Sequence, residues 1–179
     1  LLFVSLLTAS LAAPRMARAG EPTVQAPSLH PGAVELGVSG AMSAVEGSTR
    51  GTALVRLGRF QHLGHGLAQL EGEVAYTHVS NLDALGFEAT ISYQHRLSAT
   101  ACYPYIAIAA GSREEWIGSF RDFRIPVGLT FGLRTLTSAR AAVRAEYRVR
   151  HVLHDPVADF AEQQIVVGLS VLFRNTEGH

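Results

Sequence analysis

Residues 140–150 read RAAVRAEYRVR, and that order of side chains admits one kind of secondary structure. Ala141, Val143, Ala145, Tyr147 and Val149 share one parity, while Ala142, Arg144, Glu146, Arg148 and Arg150 share the other. A period of two belongs to a β-strand with two unlike faces. A helix, turning about 100° per residue, would scatter Arg144, Glu146, Arg148 and Arg150 to both sides. Such a strand poses the question of which face meets the protein's interior, because inward and outward rows of arginine have different physical consequences.

The alternation recurs in segments 33–43, 52–60, 68–79, 85–96, 103–111, 123–135 and 160–174, separated by clusters of Gly, Ser, Asn, Asp or Pro. In the sixth, Ile125, Val127, Leu129, Phe131 and Leu133 alternate with Arg124, Pro126, Gly128, Thr130, Gly132 and Arg134. The fifth is irregular, with Ile106 and Ile108 on the parity assigned to polar residues and Tyr103 on the apolar one. Pro104 and Pro126 supply no ladder donor and are expected near strand ends or bulges. No stretch sustains a helical period, and after residue 19 none approaches the about 18 unbroken apolar residues of a transmembrane helix. The other structure that satisfies every backbone group in lipid is a closed antiparallel barrel.

Three features point the polar face inward. It collects Arg56, Arg96, Arg124, Arg134, Arg144, Arg148 and Arg150 against Glu35, Glu71, Glu73, Glu88, Glu146 and Glu162, the near balance that a closed interior demands. It also carries Gly37, Gly58, Gly128, Gly132, Gly168 and Ser170, small enough for a narrow lumen. On the apolar face, Tyr76, Tyr93, Tyr103, Phe123, Tyr147 and Phe173 are expected at strand ends, where aromatic rings meet membrane interfaces. All 15 basic residues are arginine, the side chain best suited to buried, two-bonded pairing with carboxylates, although a codon bias would leave the same mark.

Residues 1–19 have the composition of a signal peptide that is incomplete at its start: an apolar run to Ala13, then Pro14, Arg15 and an Ala17-Arg18-Ala19 cleavage pattern. Residues 20–32 are expected to form an extended periplasmic leader, 33–174 the barrel and 175–179 a short tail. Cys102 is the single cysteine, which leaves no intrachain disulfide. Zero formal net charge offers no support for a nucleic-acid partner.

The span 33–174 resembles the small outer-membrane β-barrel proteins of Gram-negative bacteria, the group that includes eight-stranded barrels of the OmpA and OmpX type. The most specific part is 164–173, QIVVGLSVLF, whose alternating apolar positions end on Phe173 like that family's assembly signal. The resemblance implies an all-β, closed antiparallel eight-stranded up-and-down transmembrane barrel in the outer membrane. Its implied partners are outer-membrane lipid and lipopolysaccharide, and the assembly machinery that reads the last strand. External loops are then expected at 44–51, 80–84, 112–122 and 152–159. The third is the longest, and its Trp116 and Phe120 are the expected contact with any partner. The alternative of a soluble periplasmic lipocalin-like barrel requires the opposite orientation of the faces and lacks that family's Gly-x-Trp pattern.

His78-Val79-Ser80-Asn81 resembles the His-x-Ser-Asn motif of outer-membrane lipid A deacylases of the PagL type. That resemblance makes His78 a base, Ser80 a nucleophile and Glu88 the orienting acid, although Glu88 falls on the lumen parity and the other two do not. Ser-Asn suits an Asx-type turn equally well. His62 with His65, and His151 with His154 and Asp155, are sparse sets for a metal, and no cofactor or metal site is expected. The lumen network is therefore expected to be structural, with function exerted through the external loops.

Overall fold

The computed structural model describes residues 26–45, 48–80, 82–97, 100–153 and 160–173; the expected signal peptide, the tail, His154 and Asp155 lie outside them. Eight antiparallel strands close into one barrel in sequence order: β1 (Val34–Val45), β2 (Ser48–Leu63), β3 (Gly66–Val79), β4 (Leu82–Gln94), β5 (Cys102–Ile117), β6 (Phe120–Ser138), β7 (Ala141–Leu153) and β8 (Phe160–Phe173). The last strand pairs with the first, from Val34 opposite Phe173 to Ala44 opposite Gln163, so no edge is left open.

The arrangement of side chains is inverted relative to a water-soluble barrel. Glu35, Arg56, Arg134, Glu146 and Arg148 are buried around the axis, while Leu36, Val38, Leu57, Leu70, Ile91, Leu129 and Leu169 are exposed on the outside. The soluble lipocalin-like reading needs the apolar face inside and is contradicted by this distribution. Glycine makes the inward packing possible at its tightest point. A Cβ on Gly132 would collide with the inward Tyr105 ring of the neighbouring strand, opposite which it sits.

Two expectations are corrected in β5 and β6. The inward parity of β5 is odd: Tyr103, Tyr105, Ala107 and Ala109 are buried, and Ile106 and Ile108 face outward. Tyr103, only 3% exposed, is therefore no interface ring; its hydroxyl accepts the backbone N–H of Leu29 inside the mouth. The irregularity at 103–111 thus disappears once the parity is reversed.

Segment 112–122 is not a loop. β5 and β6 continue as a paired ladder to Ile117 opposite Phe120, turning on Gly118 at φ 61°. Pro126 lies well inside β6, where the β5–β6 pairing is interrupted between Ala110 opposite Val127 and Arg113 opposite Arg124. Tyr147 also lies mid-strand opposite Phe131 rather than at a strand end, and its hydroxyl donates to Gln163 at 3.0 Å.

At the end that carries the first and last described residues, the segment before β1 folds into the mouth. Gly32 N–H donates to the Phe60 carbonyl at 2.7 Å, and Phe60 N–H donates to the Ala33 carbonyl at 2.9 Å. Leu29 packs with Phe60, Leu67, Tyr103, Leu136, Ala142 and Leu172 as an apolar plug.

Candidate functional site

Directly above this plug begins a column of charge that runs the length of the lumen. Each strand contributes through alternate residues, so the column follows from the period-two sequence pattern. In its lowest layer, Arg134 donates through Nη2 to Glu35 and to Gln69, both at 2.8 Å, and through Nη1 to the Gln94 side-chain carbonyl. Gln69 also donates to Glu35 at 2.5 Å, and the Arg134 guanidinium lies 4.8 Å from the Phe60 ring centroid. Arginine is suited to such a place because its planar head serves several acceptors while stacking on a ring.

Glu146 is the centre of the next layers. One carboxylate oxygen accepts from Arg56 Nη1 at 2.6 Å and from the Tyr105 hydroxyl at 2.5 Å, and it lies 2.7 Å from Arg144 Nη2. The other accepts from Arg148 Nε at 2.8 Å. Arg144 reaches on to Glu71 at 2.5 Å, and Arg148 holds Glu73 through two parallel bonds of 2.8 Å each. Arg150 repeats that fork on Glu88 at 2.8 and 2.7 Å and also donates to the Leu129 carbonyl at 2.9 Å. Two-bonded pairs of this kind lock both direction and distance, which isolated point charges do not.

At the far end the column becomes a rim. Arg113 donates to Glu162 at 2.8 Å and lies 3.0 Å from Glu115, while Arg124 donates to Asp122 at 2.8 Å and lies 3.4 Å from Glu115. The interior side chains leave small spaces: a cavity of about 10 Å³ beside Tyr105, Arg144 and Glu146, and one of about 50 Å³ bounded by Glu73, Glu88, Arg148, Arg150 and Glu162. The smaller has room for about one water, which is the packing expected of an eight-stranded lumen.

Of the residues expected in the lumen, Glu35, Arg56, Glu71, Glu73, Glu88, Arg134, Arg144, Glu146, Arg148, Arg150 and Glu162 point into the column, and Arg124 belongs to its rim. Arg96 does not. It lies past the end of β4, donating to the carbonyls of Thr100 at 2.8 Å and Ala26 at 3.1 Å. Tyr105 falls on the parity that the sequence pattern assigns to the outside of β5, and Arg113, Glu115 and Asp122 fall in the segment expected to be a loop, so none of the four is legible as a lumen residue from sequence. Gln69 and Gln94 were on the correct parity but uncharged.

The deacylase constellation is not assembled. His78 points outward and donates through Nδ1 to Asp83 at 2.8 Å, and that carboxylate also accepts from the Tyr76 hydroxyl at 2.7 Å. Glu88 is on the opposite side of the wall, committed to Arg150, so it cannot orient His78. Ser80 adopts a left-handed backbone, φ 55°, as expected of a turn. Trp116 faces outward, opposite Arg121, whose guanidinium lies 5.9 Å from the indole centroid; Phe120 is exposed at the hairpin tip. Among the described residues, no group of three or more His, Cys, Asp or Glu side chains is placed to hold a metal ion, and this includes His62 and His65.

No family model matches the chain, and no curated protein matches it in sequence. Solved structures do. The N-terminal β-barrel domain of Pseudomonas aeruginosa OprF aligns with a TM-score of 0.65 at 14% identity, over 80% of this chain and 98% of that one. Neisserial surface protein A aligns with a TM-score of 0.56 at 12% identity, over 79% of this chain and 96% of that one. A de novo designed transmembrane β-barrel aligns with a TM-score of 0.53 at 14% identity, over 81% and 98% of the two chains. Resemblance to a designed sequence makes the point that geometry and alternation alone suffice for this likeness. At such identities what is shared is the fold, and that fold is the eight-stranded, all-antiparallel barrel of the small outer-membrane proteins.

Proposed function

We propose that this protein is exported by residues 1–19 and resides in the outer membrane as an integral barrel. In this reading the closed, charge-paired lumen holds the wall together, and contacts are made by the external ends of the strands. The observation that carries it is the inversion of the two faces: Glu35 and Arg134 have no exposed surface, whereas Ile108 is 60% and Leu169 63% exposed. Hydrocarbon is the solvent that favours such an exterior, and a closed barrel leaves it no unpaired backbone. With the end that carries the described termini in the periplasm, the β5–β6 hairpin projects outward. Trp116 and Phe123 then face lipid or lipopolysaccharide, and Phe120 faces any partner. The outward row Ile165, Val167, Leu169, Val171 and Phe173 of β8 is the segment offered to the assembly machinery.

Fractionation tests this reading directly. The mature protein is expected with the dense outer membrane, released only by detergent, and faster on a denaturing gel before boiling than after. Recovery from the aqueous periplasm without detergent would end it. Trp116 is the only tryptophan, so its fluorescence reports on the hairpin alone. Brominated lipids labelled near the headgroup are expected to quench it more strongly than lipids labelled near the bilayer centre, and the reverse order would remove the hairpin from the interface.

A further inference from the structure

The periplasmic-side mouth contains a second polar feature that the charge column does not use. Between the folded-in leader and the β2–β3 turn lies a cavity of about 240 Å³, lined by Ser28, His62, His65, Gln94, Arg96 and Tyr103 together with apolar neighbours. Among the described residues no carboxylate lines it. Gln94 is 1% exposed, and its side-chain carbonyl is taken by Arg134, which fixes the amide so that Nε2 is its donor end. That Nε2 is buried and has no hydrogen-bond partner. A buried amide donor left unsatisfied is unfavourable, so its retention points to an acceptor that arrives from outside.

The surrounding groups define what kind of acceptor. Arg96 is held in place through Nε and Nη2 by the carbonyls of Thr100 and Ala26, which leaves Nη1 for a ligand. The Tyr103 hydroxyl accepts from Leu29 N–H at 2.9 Å and keeps its own proton to donate. His62 and His65 add ring nitrogens at the turn. A positively charged guanidinium and two neutral donors, with no competing carboxylate among the described residues, favour a compact group bearing several acceptor oxygens. The volume is below the about 300 Å³ at which drug-sized pockets begin. We infer that the mouth beneath the charge column is an oxyanion-binding site. It takes a small periplasmic molecule through a carboxylate or phosphate group, with Gln94 Nε2 and Arg96 as the principal donors.

The test uses the refolded chain in maltoside micelles and Tris chloride, which bring no competing oxyanion. Sodium phosphate and sodium acetate are titrated separately at constant ionic strength while the Gln94 side-chain amide is followed by NMR. Saturable movement with phosphate alone assigns a phosphoryl ligand, and with acetate alone a carboxylate; either supports the site. Arg96→Gln is expected to weaken binding about tenfold, the worth of one charged hydrogen bond. Gln94→Glu keeps the acceptor that Arg134 uses and is expected to abolish binding, because it replaces the donor with a second negative charge. Arg121→Gln, on the outer wall at the opposite end, should leave affinity unchanged. Shifts that do not saturate with either ion, or equal affinities in the wild type and both mouth variants, would overturn the site. A fold that survives while binding is lost in Gln94→Glu separates this role from a structural one.

Discussion

Glu146 and Asp122 are both acids that face the barrel axis and meet arginine at hydrogen-bond distance, yet their surroundings differ. Glu146, with its side chain 1% exposed, lies within 2.8 Å of donors from Arg56 on β2, Tyr105 on β5, and Arg144 and Arg148 on its own strand. Asp122, 19% exposed, accepts from Arg124 two residues away on the same strand. Water is available to Asp122 if Arg124 leaves. Bulk solvent does not reach Glu146, whose partners at hydrogen-bond distance are protein groups. The same pair of residue types therefore acts as a cross-brace in the middle of the lumen and as a local rim contact at the end. What changes is access to solvent, since the Coulomb attraction is repaid against desolvation only where the network is complete.

The comparison breaks most visibly if the brace is cut. Glu146→Ala leaves three arginines without their shared carboxylate and is expected to destabilise the barrel by about 3–5 kcal/mol. The measurements are the urea midpoint in detergent micelles and the fast-migrating band on an unboiled gel, and a midpoint within error of wild type would show that the middle layer is not a brace. The next effect in size comes from geometry rather than charge. Gly132→Ala forces the Tyr105 ring to move and strains its bond to Glu146, with an expected loss of about 1–3 kcal/mol. Tyr105→Phe in the same background should recover none of that loss if the clash is steric, and the double-mutant cycle separates the two contributions.

Most of the barrel is legible in the chain because one physical rule, two faces with a period of two, governs every strand. Arg144, Glu146, Arg148 and Arg150 announce their direction without any structure, and the balance of acids on neighbouring segments supplies their partners. The rule is silent where both faces carry similar residues. At 112–117, charges occupy both parities: Arg113 and Glu115 turn inward, while Glu114 and Trp116 turn outward, so a strand there has the composition of a loop. Over 103–109 the inward side chains of β5 are two tyrosines and two alanines, as apolar as the outward isoleucines, and the parity is assigned only from the register with β4 and β6. The donor at the mouth was hidden for a different reason. Gln94 carries no charge, and its spare Nε2 is visible only once Arg134 has claimed its carbonyl.

Two smaller substitutions sharpen the contrast between brace and rim. Arg124→Ala removes the bond to Asp122, where water can replace it, and leaves buried Glu115 with Arg113 at 3.0 Å and Arg50 at 3.8 Å, so the expected loss is about 1 kcal/mol or less. If it instead matches Glu146→Ala, the rim is as dry as the middle, and the gradient of solvent access along the lumen is wrong. The smallest effect is expected outside the wall. Asp83 accepts from His78 and Tyr76 on the outward face, where the pair is open to solvent and lipid headgroups. Asp83→Asn preserves an acceptor for both donors while removing the charge, so the urea midpoint should not move in either low or high salt. A clear fall at low salt that disappears at high salt would mean that this outward pair, unlike the rim, contributes through its charge, and that exposure alone does not set the ranking.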